Sequence, residues 1–189
     1  MFDNVYHKVS RSSAVWMAKK TEINNEFNYR FLFFKRHGGT LFGNNWAGPG
    51  GMLEPQDDYD VWKTNFPHFY EKYQDYVDLN LRICCLRELY EEWSILPAYR
   101  DSKFCIITEE ELNSSAYTTK EFALFWKEKN IFPAIDKLYA FLRISPPLDV
   151  KFKRIDSQFY LYFVENDEDQ LIKLNKDELT DQVDYSRSQ

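Results

Sequence analysis

The sequence lacks two features that would place it in common functional classes. No apolar run reaches the roughly 18 residues that a membrane-spanning helix needs, so we expect no membrane span. Positive charge is not in excess either, since 24 Lys and Arg stand against 30 Asp and Glu, for a net charge of −6. A nucleic-acid surface needs a basic patch or stripe, so this balance argues against nucleic acid as a partner. A small phosphate-bearing ligand stays compatible, because a metal ion and a few local cations can meet its charge.

Cysteine is scarce as well. The three thiols, Cys84, Cys85 and Cys105, do not have the spacing of zinc ligands. Cys84 and Cys85 are adjacent and cannot easily bridge each other. We therefore expect buried free thiols, which fit a reducing compartment.

Aromatic rings, by contrast, are abundant. They make up 18% of the 189 residues, with 16 Phe and 13 Tyr, and predict a core built from rings. The apolar share of 44% and the charged share of 29% are ordinary for a globular chain. At this length, one domain over residues 1–189 is the simplest expectation.

Three glutamates in the middle of the chain carry the main chemical signal. Glu88, Glu91 and Glu92 stand at i, i+3 and i+4, which places them on one face of a helix. Like charges so close repel each other, and a hard cation such as Mg²⁺ would relieve that repulsion. The alternative is a solvated helix face, where such runs are common.

A glycine pair, Gly50-Gly51, lies upstream of this helix. Glycine lets a backbone turn tightly and approach a ligand closely. The pair is followed by Asp57, and Arg87 directly precedes the first glutamate.

Together these residues resemble the Nudix box, whose usual form is G-x5-E-x7-R-E-U-x-E-E-x-G-U with U apolar. The second half matches at Arg87, Glu88, Leu89, Glu91, Glu92 and Ile95.

Two positions and one spacing depart from the box. Asp57 replaces the first glutamate, and Ser94 replaces the last glycine, where a left-handed helix end would strain a serine by about 1 kcal/mol. Asp58 to Leu86 spans 29 residues where the family has seven, which we interpret as an insert over about 58–81. A coenzyme A diphosphatase branch of peroxisomes and mitochondria is similar, since it also carries an insert inside its box.

The resemblance implies an α/β fold, a Nudix-type α/β/α sandwich with a mixed sheet and a helical insert inside the box. It implies Mg²⁺ or Mn²⁺ held by Glu88, Glu91 and Glu92, with Arg87 holding the glutamates in place and Glu91 or Glu92 taking a proton. The substrate would be a nucleoside-diphosphate-linked molecule such as coenzyme A or an acyl-CoA, cleaved to 3′,5′-ADP and a phosphopantetheine. Residues implied in substrate binding are Arg36, Gly50, Gly51 and Asp57, and those implied as a base in a later loop are Glu165 and Glu168.

The sequence pattern predicts most of the elements directly. Predicted strands are Ser13–Met17, Tyr29–Lys35, Lys103–Thr108, Leu138–Ile144, Phe159–Val164 and an edge strand Gln170–Leu174. Predicted helices are one long helix Pro67–Trp93, stopped by Pro97, and Thr119–Lys129, with Thr21–Asn28 as a loop. We expect Trp46 in the core, and the aromatic rings of the insert in the core or at an interface.

The end of the chain is short and polar over Asp177–Gln189, which predicts a truncated C-terminal helix. One face of the sheet would then be bare, and an exposed apolar patch of that kind marks a partner surface. We expect protein partners to cover this face and the aromatic insert.

Two functions remain open. The intact glutamates favour a Nudix pyrophosphohydrolase. Ser94, Asp57, the short end and the aromatic insert favour an idle Nudix fold kept as a structural subunit of a large mitochondrial assembly, such as a respiratory complex or ribosome. Four basic residues among the first 20, against Asp3 alone, favour a mitochondrial location, with peroxisomal or cytoplasmic locations as alternatives.

Overall fold

The computed structural model describes residues 9–23, 26–38, 44–108, 110, 126–127, 130–145, 154–165, 168–173 and 179–186, the last range by its backbone alone. Its strands are β1 Ser10–Ile23, β2 Glu26–Arg36, β3 Trp46–Ala47, β4 Gly50–Met52, β5 Ile95–Arg100, β6 Lys103–Thr108, β7 Ile131–Pro133, β8 Leu138–Ile144, β9 Ile155–Val164 and β10 Leu179–Ser186. Its α-helices are α1 Tyr59–Asn65, α2 Pro67–Tyr73 and α3 Leu79–Trp93. Short 3₁₀ turns cover Pro55–Asp57, Ile135–Lys137 and Glu168–Leu171.

A large mixed sheet and a small antiparallel sheet organise these elements. The large sheet has the order β10-β2-β1-β9-β8, with β3 paired to β2 and β4 paired to β1. The β1–β9 pair is parallel, and the other pairs are antiparallel. The small sheet has the order β6-β5-β7. Helix α3 packs on β1 and β4 of the large sheet and on β5 of the small one, so the core lies between the two sheets.

Strand alternation decides which side chains enter this core. Val15 and Met17 of β1 are fully buried on the α3 side, and Phe34 of β2 joins them with its ring 5.4 Å from that of Trp93. The intervening Trp16 points to the other face, where it contacts rings of β2, β8 and β9. A residue-by-residue alternation of this kind is what a sheet with two different faces requires.

Five strand predictions are confirmed. Lys103–Thr108 and Leu138–Ile144 form β6 and β8 with the predicted bounds, and the other three lie inside the longer β1, β2 and β9. The predicted loop Thr21–Asn28 is wrong. Thr21 pairs with Asn28 and Glu22 with Phe27, so β1 and β2 continue almost to the turn between them. Cross-strand pairing here outweighs the low strand propensity of Asn and Glu.

The single long helix Pro67–Trp93 is also wrong, because two helices, α2 and α3, take its place. The chain leaves helical geometry between Tyr73 and Leu79, where Asp78 accepts hydrogen bonds from Arg82 and, across the core, from Tyr160. These contacts fix the start of α3 independently of α2.

Helix α3 ends before Pro97. Ser94 has φ 57° and ψ 26°, the left-handed conformation that the family usually gives to glycine, and its N–H donates to Tyr90 O at 2.7 Å. Pro97 lies inside β5 instead, where its carbonyl accepts from Ala134 N. The left-handed helix end predicted at Ser94 is confirmed, and Pro97 as the helix stop is wrong.

The C-terminal region differs most from expectation. Residues 179–186 form a strand on β2, where a truncated helix was predicted, because β2 offers an open sheet edge there. The predicted strand Gln170–Leu174 is wrong, because its first two residues belong to the 3₁₀ turn Glu168–Leu171. Of the predicted helix Thr119–Lys129, only Trp126 and Lys127 are described, both helical, and the rest lies outside the described residues.

The large sheet has an aromatic outer face, on the side away from α3. Tyr29, Tyr139, Phe141 and Phe163 are exposed there, and Trp16 packs among neighbouring rings. Among the described α-helices, only α3 packs extensively on the large sheet, and it does so on the opposite face. The described part of the chain therefore leaves this face open to solvent.

The insert is folded into the core. Trp62, Phe66, Phe69 and Tyr73 are buried, and the Trp62 ring lies 6.1 Å from that of Trp126. Of the two expectations for these rings, core and interface, the core is confirmed for these four, and a partner that covers the insert stays a prediction. Trp46 is also misassigned, since it is 46% exposed. No described helix is long and apolar enough to cross a membrane.

Candidate functional site

Arg87 is the centre of the site. Its guanidinium donates from Nη1 to Glu88 Oε1 at 2.8 Å and to Glu91 Oε2 at 2.9 Å. Its Nη2 also donates to Met52 O at 3.0 Å, which ties α3 to β4. Burial would lower the pKa of Arg87, but the hydrogen bonds and charge of Asp57 and the charge of Glu88 outweigh burial and raise it. The guanidinium is therefore a fixed positive charge that holds two carboxylates side by side.

Asp57 holds the Arg87 guanidinium in place. Nε and Nη2 of the guanidinium donate to its two oxygens at 3.1 and 3.0 Å, a bidentate pair with both side chains buried. The 3₁₀ turn Pro55–Asp57 holds this carboxylate, since Glu54 N donates to Asp57 Oδ2 at 2.9 Å. The shorter Asp in place of the family's Glu still reaches the arginine.

Glu88 is the most desolvated of the glutamates that Arg87 contacts. Burial raises the pKa of its carboxyl to about 7, with further increases from Glu91 and Asp57, against the opposing effect of Arg87. Gly51 closes the site on one side, since a Cβ there would lie 2.1 Å from Glu88 Oε1. The carboxylate is thus confined between a guanidinium and a bare backbone.

Glu91 is more open to solvent, with 32% of its side chain exposed. Burial raises the pKa of its carboxyl, and Arg87 opposes the rise. The charge of Glu54 raises it further, which places a fourth carboxylate nearby. Sequence reasoning missed Glu54, although its position three residues before Asp57, at a Pro-initiated turn, was a usable signal.

Glu92 is placed differently from its two neighbours. It is 1% exposed, and Arg87 does not donate to it. The helix therefore brings Glu88 and Glu91 together at Arg87 and directs Glu92 into the protein.

Gly50 and Gly51 form β4, paired with Ala14 and Ser13. Neither has a positive φ, so the expected tight turn is wrong. Close approach is the reason for glycine at both positions. A Cβ on Gly50 would lie 2.6 Å from Ser13 O, and one on Gly51 would strike Glu88.

Arg36 lies at the end of β2, where its backbone bonds with Asn44 and Asn45. It has the strand parity of Phe34, whose ring contacts Trp93, so it lies on the α3 face near the end of that helix. It makes no hydrogen bond or ion pair with any described glutamate, and its substrate-binding role stays a prediction.

Glu165 and Glu168 do not reach the site. Glu165 pairs with Lys137 and Glu168 accepts from Tyr162, beyond the C-terminal end of β9. The box lies at the other end of the sheet, because β4 pairs with β1 at Ser12 to Ala14, opposite Ser157 to Phe159 of β9. The prediction of a base in this later loop is wrong.

The donor set at Arg87 suits a divalent cation by its chemistry. Within the described residues, neither Glu88 Oε2 nor Glu91 Oε1 has a hydrogen-bond partner, and hard cations prefer such oxygens. The described residues contain no group of three His, Cys, Asp or Glu side chains already converged on one point. Two carboxylates with a free oxygen each are thus the ligands that this arrangement offers.

No protein-family profile matches the sequence, and no curated protein matches it. Among solved structures, a Nudix hydrolase from Alicyclobacillus acidocaldarius aligns with a TM-score of 0.71 at 16% identity, over 96% of this chain and 80% of that one. A MutT/Nudix family protein from Enterococcus faecalis aligns with a TM-score of 0.49 at 14% identity, over 98% of this chain and 46% of that one. At identities this low, structural similarity shows the fold alone. The inference of the fold rests on the first of these two alignments, with its TM-score of 0.71. The chain has the Nudix fold built on a mixed sheet, and within the described residues the α/β/α sandwich of that fold has its helical layer on one face of the large sheet.

Proposed function

We propose that the chain is a pyrophosphohydrolase of the Nudix type, which cleaves a nucleoside-diphosphate-linked substrate such as coenzyme A or an acyl-CoA. Mg²⁺ or Mn²⁺ would be held by Glu88 and Glu91, while Glu92, which the sequence predicts as a third ligand, is directed into the protein. The bound cation would polarise phosphoryl oxygens and lower the pKa of a coordinated water. The observation that carries the proposal is the Arg87 guanidinium, which holds two glutamates against a glycine backbone.

The residues of the chain have distinct tasks in this proposal. Arg87 is a positioning residue, since its hydrogen bonds fix Glu88 and Glu91, and Asp57 keeps it charged and oriented. Glu91, the more exposed of the pair, faces solvent and can accept a proton from an attacking water. Glu88 is confined by Gly51. Arg36, on the same face of the sheet, would meet a phosphate of the substrate.

The test is turnover of a panel of nucleoside diphosphate derivatives, with coenzyme A first, in Mg²⁺ at about 5 mM, a level suited to weak carboxylate sites. We expect wild-type turnover, and a loss of at least about 100-fold in Glu91→Gln if this carboxylate acts as general base. Glu22→Gln, on an exposed part of β1 far from the box, is the control and should leave turnover unchanged. Wild-type protein without turnover on any substrate would contradict the proposal.

A second candidate function is a structural subunit, and the aromatic outer face of the large sheet favours it. Exposed rings on β2, β9 and β8, with the half-buried Trp16 of β1 among them, are unusual for a protein that works alone, and they suit a surface that a partner covers. The mass of the particle that contains the chain, measured after gentle extraction from its mitochondria or other source compartment, separates the two. A large complex of fixed composition supports this candidate, and a free monomer contradicts it.

A further inference from the structure

The insert builds a groove that is separate from the box. Helix α2 forms one wall, and the end of β5, the turn after it and β7 form the other. The first hollow, about 300 Å³, is lined by His68, Phe69, Lys72, Tyr73, Tyr99, Ser102 and Phe132. A second hollow of about 210 Å³ adjoins it and shares His68, Phe69 and Phe132. No lining residue belongs to residues 50–57 or 87–95.

The walls of the first hollow are aromatic and held in place. Tyr99 donates to Asp136 Oδ2 at 2.7 Å and Tyr73 donates to Asp136 Oδ1 at 3.3 Å, so one carboxylate fixes two rings from different elements. Phe69 is buried behind them. Rings fixed in this way lose little conformational freedom when a flat ligand packs on them.

The described side chains that line the groove include two lysines, although the chain as a whole carries −6. The Lys72 ammonium lies over the rings of Tyr73 and Tyr99, 4.6 and 5.6 Å from their centroids. Lys127 lines the second hollow, and none of the described residues that line either hollow is Asp or Glu. Of the nearby carboxylates, Asp136 accepts hydrogen bonds from the two tyrosines, and the exposed Glu71 lies 3.6 Å from His68. Lys72 itself has no ion pair with any described carboxylate.

From these observations we infer that the groove is a binding site for a small aromatic anion, a flat ring that carries a phosphate or carboxylate. The ring would pack against Tyr73, Tyr99 and Phe132, and the anionic group would pair with the Lys72 ammonium. The size agrees, because a hollow of about 300 Å³ is at the lower end of ligand pockets. Such a ligand is either a nucleotide or an aromatic carboxylate, since each has a flat ring to pack on the aromatic side chains and an anionic group to pair with Lys72.

Isothermal titration of the full chain tests the inference, with AMP and 2-naphthoate as probes and uncharged adenosine as a reference. We expect at least one anion to bind more tightly than adenosine. Lys72→Gln should weaken that binding about tenfold or more, which is the range of a charge-assisted contact. Lys63→Gln is the matched control, since Lys63 is also exposed on the insert and lies over a ring, that of Tyr70, outside the groove.

A box variant separates this site from the proposed catalytic one. Glu91→Gln should bind the probe as wild type does, whether or not the box proves catalytic. The inference is overturned if neither anion binds at millimolar concentration, if Lys72→Gln binds as wild type does, or if binding is lost in Glu91→Gln alone.

Discussion

Gly51→Ala probes the closest contact in the box. The added Cβ would lie 2.1 Å from Glu88 Oε1 and 2.4 Å from Glu88 Cδ. Non-bonded carbon and oxygen atoms normally stay about 3.3–3.6 Å apart, so the carboxylate must move by more than ~1 Å. A misplacement of that size in a catalytic group costs about 100-fold in rate. We therefore expect Gly51→Ala to lower kcat/KM for the substrate about 100-fold.

The effect on stability should be small by comparison. The displaced group is the end of a side chain, and its hydrogen bond to Arg87 is worth about 1.5–3 kcal/mol as a charged contact. Replacing a strand glycine by alanine returns about 0.5–1 kcal/mol. Urea unfolding should therefore show a free energy of unfolding lower by roughly 0.5–2.5 kcal/mol.

Gly50→Ala is the control for this reasoning. Its Cβ would meet Ser13 O at 2.6 Å and Ala14 Cα at 2.8 Å, which are backbone atoms of β1. Gly50→Ala should lower the free energy of unfolding by about 1–3 kcal/mol or more through strain in the sheet. The loss should be the same in the wild-type and Glu88→Ala backgrounds. Gly51→Ala, in contrast, should cost no stability in a Glu88→Ala background. The reasoning is refuted if Gly51→Ala retains wild-type kcat/KM, or if its stability cost is the same in both backgrounds.

Three further predictions concern stability. Glu88 has a folded pKa of about 7, above its ordinary 4.5, so its stabilising contribution is full below about pH 4.5 and is lost as pH rises through 7. In EDTA, the free energy of unfolding of the wild type, measured by thermal unfolding, should fall by about 2–3 kcal/mol more than that of Glu88→Gln between pH 5 and 8. Free energies of unfolding that follow parallel pH profiles in the two proteins would contradict this. Ser94→Gly should raise the free energy of unfolding by about 1 kcal/mol because it relieves the left-handed conformation at φ 57°, whereas Ser94→Ala should not. Arg87→Met should lower the free energy of unfolding by about 3–5 kcal/mol, since Asp57 is left buried without its cationic partner. Arg143→Met should cost about 1 kcal/mol or less, because the Arg143 side chain is 62% exposed and its partner Asp156 keeps the Ser145 hydroxyl as a donor. Equal losses for the two arginines in urea unfolding would refute the last of these.

The parts of the site that could be predicted are those that local sequence determines. Glu88 and Glu91 share a helix face because of their spacing, and Ser94 ends the helix in a left-handed conformation because it occupies the position of the family's glycine. No local sequence signal marks the edge of the large sheet at β2, with which residues 179–186 pair. The sequence therefore predicts a short helix where the structure has a strand.

Other features depend on contacts distant in sequence. The break before α3 depends on Asp78 and its bond to Tyr160, 82 residues away, and helical periodicity passes through it unbroken. The inward position of Glu92 depends on how α3 rotates against the sheets, which the spacing of three glutamates does not specify. Gly51 was predicted for a turn near a ligand, while its actual neighbour is Glu88, because β4 brings the two together.

The claim that Glu88 and Glu91 form a divalent cation site is tested most directly by Mn²⁺ binding, measured by electron paramagnetic resonance on the free ion. We expect wild type to bind Mn²⁺ with a dissociation constant of about 1 mM or below, in the range of carboxylate sites of modest charge. Glu91→Gln should lose this binding, and Glu22→Gln should keep it. Wild-type protein that leaves Mn²⁺ free at several times that concentration, or a Glu91→Gln variant that binds as tightly as wild type, would contradict the account.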